Sequence, residues 1–299
     1  MYAVILAGAS GTRQRPLVGT SDPHAFRPAA DGRSLLQSTV ERLYPLIEPD
    51  DVVVVTDRRH GQHVREQVPH ARIVTEPINR GTAASLALAT VAVERAMNET
   101  MVAVCADHLV EREGALREAL QVTDQLVVGG AAGIEHPLVT FGIRPTAADR
   151  ELTYLQPLYD QVVRAGALRF YPLQSVETKP DSGRTRQLFE AGTSYWSSGI
   201  FSWQRGAIIE AIERYTPLFT MLRPAFRSEI ALEGAYDRLQ PLSIDEAVLV
   251  GAARDGNVLT APLDVGWHEF EPTPPPAPSA VGRPAANGTD GGPGASDHR

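Results

Sequence analysis

The sequence predicts an α/β fold with a doubly wound, mostly parallel sheet, and three observations support this prediction. Short runs of Val, Ile and Ala recur along the first half of the chain without the alternation of a half-exposed strand. Stretches with helical apolar spacing separate these runs, which is the pattern of βαβ units. Polar or glycine residues follow several of the runs, at the edge where such sheets bind ligands.

Each predicted strand of the first half is a short apolar run that ends at a polar residue or a glycine. The strands are expected at 3–7, 51–56 and 101–106, with a weaker fourth at 125–129. Helices are expected at 34–46, 61–68, 82–97 and 114–123, and later at 208–215 and 224–236. Residues 139–205 combine shorter strands with more turn residues, so we expect a smaller extension of the sheet that contacts the substrate.

Composition divides the chain into one folded domain and a tail. The 299 residues are 43% hydrophobic, which suits a globular domain. We expect that domain at 1–271, with two halves at about 1–135 and 136–271. Residues 272–299 are rich in Pro, Gly and Ala, a composition that cannot bury a core, so we expect this tail to be disordered.

Charge and cysteine content exclude several classes of protein. The net charge of −8 argues against nucleic acid as a partner, because phosphate neutralisation needs clustered Lys and Arg. No apolar run approaches the roughly 20 residues that cross a bilayer, so no membrane association is expected. The single cysteine, Cys105, cannot form an internal disulfide. A reducing, cytoplasmic location is therefore expected.

The loop after the first predicted strand has the composition of a phosphate-binding loop. Gly8 and Gly11 let backbone N–H groups approach a phosphate closely, and the guanidinium group of Arg13 adds charged N–H donors. An ordinary strand-to-helix turn is the alternative. The loop is neither the dinucleotide pattern G-x-G-x-x-G nor a Walker loop.

Two further residues suggest chemistry on the same side of the sheet. Asp107 ends the third strong strand, where a carboxylate can hold Mg²⁺ or, alternatively, cap a helix. Lys179 is the only lysine among 28 basic residues. Its retention in a chain that otherwise uses arginine favours a functional role over that of a solvated surface lysine.

The order of the motifs resembles the sugar-1-phosphate nucleotidyltransferases, in particular the mannose-1-phosphate guanylyltransferases, over about residues 2–271. The family loop GGSGTRxxPL appears as GASGTRQRPL at 8–17, and its EPxxRNTA appears as EPINRGTA at 76–83. There follow ADH at 106–108, VTFGIRPT at 139–146, TKP at 178–180, WSSGIF at 196–201, SID at 243–245 and GWHEFE at 266–271.

This resemblance implies a Rossmann-like, GT-A-like domain whose first half binds the nucleotide and whose second half binds the sugar phosphate. It implies transfer of GMP from GTP to a sugar 1-phosphate, with Mg²⁺ or Mn²⁺ as cofactor and release of pyrophosphate. The implied catalytic residues are Arg13, His24 and Lys179, and the implied metal ligands are Asp107 and Glu269. The implied nucleotide contacts are Leu6, Gly8, Ser10, Gly11, Thr12, Arg80 and Thr82, and the implied sugar-phosphate contacts are Gly142, Thr178, Lys179 and Ser197.

Several of these positions depart from the family pattern. His24 stands where the family has lysine, and an ordinary histidine pKa of about 6.5 makes its charge depend on pH. Ala9 replaces a glycine and Gly81 an asparagine; Thr153, Thr178 and Ser197 replace a glycine, a glutamate and an asparagine; Glu269 replaces an aspartate. The changes concentrate on the sugar side, which suggests an unusual ring, such as a cyclitol phosphate like valienol 1-phosphate.

Three functions follow from this pattern. An active guanylyltransferase that uses GTP and a sugar or cyclitol 1-phosphate is favoured. A catalytically inactive homologue, acting as a binding or regulatory subunit, is the main alternative. A glycosyltransferase is disfavoured by the triphosphate loop, because such an enzyme needs no site for leaving pyrophosphate. The sequence leaves the oligomeric state open, with a homodimer as one option.

Overall fold

The computed structural model describes residues 1–8, 24–28 and 31–270. The strands are β1 (Tyr2–Leu6), β2 (Val52–Asp57), β3 (Arg72–Glu76), β4 (Thr100–Cys105), β5 (His108–Leu109), β6 (Leu138–Ile143), β7 (Tyr154–Pro157), β8 (Val163–Ala165), β9 (Leu168–Glu177), β10 (Tyr195–Gln204), β11 (Val258–Pro262) and β12 (His268–Glu269). The helices are α1 (Leu35–Leu43), α2 (Gly61–Gln67), α3 (Thr82–Ala92), α4 (Glu113–Gly129), α5 (Ser182–Ala191), α6 (Arg205–Tyr215), α7 (Leu218–Ala225), α8 (Glu229–Asp237) and α9 (Val250–Arg254). Short 3₁₀ turns lie at His24–Phe26, Pro49–Asp51 and Arg58–His60, and a π-helical turn lies at Asp245–Leu249.

Ten of the strands form one sheet, in the order β3-β2-β1-β4-β10-β6-β11-β9-β7 with β8 paired to β9. The first four of these strands run parallel. β10 pairs antiparallel with both β4 and β6 and so joins the two parts. β5 and β12 form a separate antiparallel pair. The doubly wound, mostly parallel α/β fold predicted from the sequence is confirmed.

The central strands are buried on both faces of the sheet. Along β1, Tyr2, Val4 and Leu6 belong to one apolar cluster, which they share with α3 and α6. The intervening Ala3 and Ile5 belong to a second cluster, which they share with α1 and α4. Period-two alternation between two buried clusters explains why these strands read as continuous apolar runs.

Most predicted elements of the first half are present, but the predicted strand at 125–129 is wrong. Those residues form the end of α4, which runs without interruption from Glu113 to Gly129. Leu116, Leu120, Thr123 and Val127 are buried along one face of this helix, at helical spacing. Tertiary packing of that face therefore overrides the local β propensity of the Leu-Val-Val run.

One strand was missed from the sequence, and one predicted helix is divided in the structure. β3 was not predicted, because its edge position leaves Arg72 and Thr75 exposed and the run too polar to be recognised. The helix predicted at 224–236 is two helices, since α7 ends at Ala225 and Ser228 caps the start of α8. The predicted extension at 139–205 belongs to the same main sheet. Within the described ranges, no helix is long and apolar enough to cross a membrane.

Candidate functional site

A cleft of about 310 Å³ opens beyond the carboxyl ends of β1 and β4, the edge where doubly wound sheets bind ligands. That volume is within the range of small-molecule sites. Both halves of the chain contribute to its walls. Nine of the residues predicted from the sequence line this cleft: Leu6, Gly8, His24, Thr82, Asp107, Thr178, Lys179, Ser197 and Glu269.

The remaining predicted residues divide into two groups. Ser10, Gly11, Thr12 and Arg13 lie outside the described residues, so their phosphate-binding role stays a prediction. Arg80 and Gly142 are described but are not part of the cleft lining. Arg80 Nε donates a hydrogen bond to the Tyr236 carbonyl at 2.8 Å. A Cβ at Gly142 would lie 2.7 Å from Tyr195 Cβ, so packing alone explains this glycine.

The pairing of β5 with β12 brings Asp107 and Glu269 to the same cleft. Glu269 lies opposite His108 in the ladder, and the N–H of Phe270 donates to the Asp107 carbonyl at 3.0 Å. The capping alternative for Asp107 is wrong, because a strand begins at the next residue. Carboxylate oxygens are hard donors that suit Mg²⁺ or Mn²⁺. The two side chains therefore fit the divalent cation that the resemblance implies.

His24 lies in the 3₁₀ turn His24–Phe26 and faces the cleft. Its ring contacts Phe270 edge-on, with centroids 5.7 Å apart. Burial lowers the pKa of His24 and the nearby Arg27 lowers it further, while Asp107 opposes them. Without bound phosphate, His24 is therefore less readily protonated than an ordinary histidine.

Lys179 has a partner that the sequence did not predict. Its Nζ lies 3.3 Å from Glu246 Oε1, and both residues line the cleft. Glu246 also accepts hydrogen bonds from the N–H and Oγ of Ser243. Ser243 and Glu246 have capping-box spacing, the one sequence signal that could have pointed to this carboxylate.

The backbone at Lys179 is held in an unusual conformation. Its φ of 44° is in the left-handed region, and it precedes Pro180, which restricts it further. Such strain persists only where the surroundings fix it. A side chain that is 61% exposed on a constrained backbone is presented to the cleft, which supports a functional role for this lysine.

Ser197 and Asp245 form a buried pair in the wall of the second half. Ser197 Oγ donates to Asp245 Oδ1 at 2.9 Å, and each residue is less than 10% exposed. Asp245 begins the π-helical turn, a feature frequent at functional sites. The pairing fixes the position of Ser197 in the wall.

At the end of β1, Asn79 connects two loops of the cleft. Its side-chain amide donates to the Gly8 carbonyl at 2.8 Å, and its Oδ1 accepts from the Gly81 N–H at 2.8 Å. The family resemblance implied Arg80 and Thr82 of this loop as nucleotide contacts but did not include Asn79. The residue lies inside the 76–83 motif, which was the available signal.

Glu76 is buried directly beneath these loops. Ser85 Oγ donates to its Oε2 at 2.8 Å, and the Tyr236 hydroxyl donates to its Oε1 at 3.0 Å. Burial raises the pKa of Glu76 to about 7, although these two hydrogen bonds oppose the shift. A Cβ at Gly8 would lie 3.6 Å from Glu76 Oε2, so the carboxyl group supports the start of the glycine loop.

Comparison with known proteins identifies the family and the fold. The family model described as Nucleotidyl transferase matches residues 2–224. The mannose-1-phosphate guanylyltransferase of Escherichia coli K12 is 28% identical over 285 residues, which cover 90% of this chain and 57% of that protein. The alginate biosynthesis protein AlgA of Pseudomonas fluorescens is 29% identical over 283 residues, covering 90% and 56%. The chain thus spans little more than half the length of these relatives.

A solved structure from Thermus thermophilus, described as a mannose-1-phosphate geranyltransferase, has the same fold. It aligns with a TM-score of 0.71 and 26% identity, covering 89% of this chain and 75% of that one. The likeness extends through the second half of the sheet as well as the first.

Proposed function

Because the chain belongs to the nucleotidyl transferase family, we propose that it transfers a nucleoside monophosphate from a nucleoside triphosphate to a sugar 1-phosphate. We assign GTP as the donor and a hexose or cyclitol 1-phosphate as the acceptor. The observation that carries the proposal is the pairing of β5 with β12. This pairing puts Asp107 and Glu269 in one cleft with Lys179.

The reaction is an in-line displacement at phosphorus. A phosphate oxygen of the acceptor forms a bond to the α-phosphorus of the triphosphate, and the bond from that phosphorus to pyrophosphate breaks. Positioning and charge neutralisation supply most of the acceleration in such transfers. Asp107 and Glu269 would hold Mg²⁺ or Mn²⁺, which supplies positive charge to the triphosphate.

The remaining groups have separable roles. The backbone from Gly8 onward would bind the triphosphate, and Lys179 would pair with the acceptor phosphate. When that phosphate binds, it competes with Glu246 for the lysine, because the Lys179–Glu246 contact occupies the same ammonium group. Glu246 is then released toward the acceptor and can accept hydrogen bonds from ring hydroxyls.

An altered acceptor ring is supported by the wall of the second half. Thr153, Thr178 and Ser197 line it together with Glu246, and the first three differ from the family pattern. Hydroxyl groups replace longer or smaller side chains there, so the wall keeps hydrogen-bonding capacity but changes shape. We therefore include cyclitol phosphates such as valienol 1-phosphate beside mannose 1-phosphate.

The decisive experiment measures pyrophosphate release for four nucleoside triphosphates against a panel of sugar and cyclitol 1-phosphates, with Mg²⁺ or Mn²⁺. We expect turnover with GTP and at least one acceptor. Asp107→Asn should abolish that turnover with little change in melting temperature. Asp50→Asn is the matched control, since Asp50 has an 86% exposed side chain and lies outside the cleft.

Other outcomes identify the alternatives. Nucleotide binding with no turnover for any pair would overturn the proposal in favour of a binding or regulatory subunit. Release of a nucleoside diphosphate from a nucleotide sugar, without pyrophosphate, would favour a glycosyltransferase. Unfolding of Asp107→Asn would show that this carboxylate has a structural role, and Glu269→Gln would then test the metal assignment.

A further inference from the structure

The end of β4 carries two donors, in addition to Asp107, that the transfer reaction does not require. Cys105 is the last residue of the strand, and Asp107 and His108 follow at once. The Cys105 Sγ, a carboxylate oxygen of Asp107 and a ring nitrogen of His108 all lie within 4.8 Å of one another. All three residues line the cleft.

Neighbouring residues hold the backbone and ring of His108 and leave space beside Cys105. The buried Arg42 donates from Nη1 to the His108 carbonyl at 2.8 Å, and the His108 ring packs edge-on against Trp267 with centroids 5.0 Å apart. Gly199, at a φ of +69°, has no Cβ and so leaves room for the Cys105 sulfur and the His108 ring. A Cβ there would lie 2.7 Å from His108 Cε1 and 3.5 Å from Cys105 Sγ.

The mixture of donors selects a class of metal ion. Mg²⁺ prefers oxygen ligands, whereas Zn²⁺ and its neighbours accept thiolate, imidazole and carboxylate together. We propose that Cys105, Asp107 and His108 form a site for a borderline divalent transition-metal ion of the zinc class. Binding transfers the thiol proton of Cys105 to solvent and leaves a thiolate on the ion.

The spacing suits such an ion after a small adjustment. Zinc bond lengths of about 2.0–2.3 Å place tetrahedral ligand atoms roughly 3.3–3.8 Å apart. Because the three ligand atoms lie within 4.8 Å of one another, closure by at most roughly 1.0–1.5 Å is needed, and rotation of the Cys105 and Asp107 side chains can supply it. Three protein ligands leave a fourth position, and because the cluster lines the cleft, water or a phosphate oxygen can occupy it.

This site shares Asp107 with the carboxylate pair. An ion of the zinc class would therefore compete with Mg²⁺ for Asp107. The inference deepens the assignment of the cleft in the proposed function, but its test needs neither nucleotide nor turnover.

The test is a Co²⁺ titration of the full chain, read by absorption without nucleotide. A thiolate-to-cobalt charge-transfer band in the near ultraviolet, saturating at one Co²⁺ per chain, is the expected result. Because Cys105 is the only cysteine, such a band can come from no other residue. Cys105→Ser should abolish the band, and Zn²⁺ should bleach it in wild type, following its higher affinity for such sites.

Two variants test the other ligands. Asp107→Asn and His108→Gln should each weaken Co²⁺ binding by more than about tenfold. Loss of a residue that only hydrogen-bonds to a metal ligand already lowers metal affinity by about tenfold, and loss of the ligand itself should cost more. His70→Gln is the control, since His70 is 71% exposed and pairs with Asp50 at the surface. Absence of the band at saturating Co²⁺ would overturn the proposal. So would an undiminished band in Asp107→Asn, a variant that stays informative if His108→Gln does not fold.

Discussion

At the scale of single residues, His24 combines a cleft position with a lowered pKa. Burial is the largest cause, Arg27 adds to it, and Asp107 opposes both. The family lysine would be charged at any physiological pH, whereas a histidine in this place is largely neutral until the solution is mildly acidic. Bound phosphates would act in the other direction and raise the pKa.

We predict that kcat/KM falls as the pH rises through the pKa of His24, below its ordinary value of about 6.5, because the neutral ring loses its charge. The corresponding limb of kcat should lie at higher pH, since the bound phosphates raise that pKa. His24→Lys should remove both limbs. His24→Ala should lower turnover about 10- to 1000-fold, as expected for one contact that stabilises a transition state.

The pH profiles of wild type, His24→Lys and His24→Ala are measured in the pyrophosphate assay. His136→Ala is the matched control, because His136 lies outside the cleft and has a 45% exposed side chain. Equal turnover of wild type and His24→Ala at every pH would show that His24 has no part in the reaction. Arg13, Lys179 and the metal would then have to carry the charge, with Arg15 or Arg27 as the basic residues nearby in sequence that could replace the histidine.

Glu76 links the cleft to the stability of the fold. Its pKa is about 7 in the folded protein, against an ordinary value of 4.5. Between these values the unfolded chain has lost the proton and the folded protein keeps it, so stability must fall as the pH rises. The loss should level off above about pH 7, and it totals roughly 3 kcal/mol at most.

Glu76→Gln should therefore remove the decline in unfolding free energy between about pH 4.5 and 7. The difference in unfolding free energy between Glu76→Gln and wild type should therefore shift in favour of the variant by up to about 3 kcal/mol between pH 5 and pH 8. Urea unfolding at both pH values measures the difference. Glu94→Gln, at an exposed position, serves as control. A pH-independent difference between Glu76→Gln and wild type would contradict the raised pKa.

At the scale of elements, the loop that leads into α3 is locked to the loop that follows α8. The Leu242 N–H donates to the Arg80 carbonyl, and the Ala83 N–H donates to the Leu242 carbonyl, both at 3.2 Å. Gly81 has a φ of +85°, and a Cβ there would lie 2.2 Å from the Leu242 oxygen. The glycine that departs from the family pattern is thus required by this close approach.

Gly81→Ala should lower the unfolding free energy by about 3 kcal/mol, the upper end of the cost of such backbone strain, and should weaken nucleotide binding. Gly81→Asn, the family residue, should do the same. Gly130→Ala is the matched control. Gly130 has nearly the same backbone angles, φ 74° and ψ 160° against 85° and 166°, but lies outside the cleft lining.

Urea unfolding and equilibrium binding of GTP separate the two effects. Gly130→Ala should lose stability and keep its nucleotide affinity. Wild-type affinity in a folded Gly81→Ala protein would show that the locked loops do not shape the nucleotide side of the cleft.

At the scale of the whole molecule, the composition of the tail, residues 272–299, predicts that the folded domain does not depend on it. The two buried clusters extend from β1 to Val265, which precedes β12. Deletion of residues 272–299 should therefore leave the melting transition cooperative and unshifted, and the turnover unchanged. Calorimetry and the pyrophosphate assay on the shortened chain measure both. A loss of cooperativity or of turnover would show that this segment contributes to the folded domain.

The fold class and most of the first half of the sheet follow from local sequence patterns. β1, β2 and β4 are continuous apolar runs because both faces are buried, and such runs are recognisable without knowledge of their neighbours. The region 125–129 has the same local composition. Its helical state depends on which face of α4 packs against the sheet. Local propensity cannot supply that information.

The sequence also identified seven of the polar side chains that line the cleft, because motif order indicates which loops follow which strands. Their mutual contacts depend on how distant segments pack. The pairing of β5 with β12 brings Asp107 and Glu269 to the same cleft. Lys179, which follows β9, pairs with Glu246 in the π-helical turn Asp245–Leu249. Contacts between distant segments depend on the register and packing of the whole sheet. For that reason the contacts of Asn79 with Gly8 and of Glu246 with Lys179 became visible only in three dimensions.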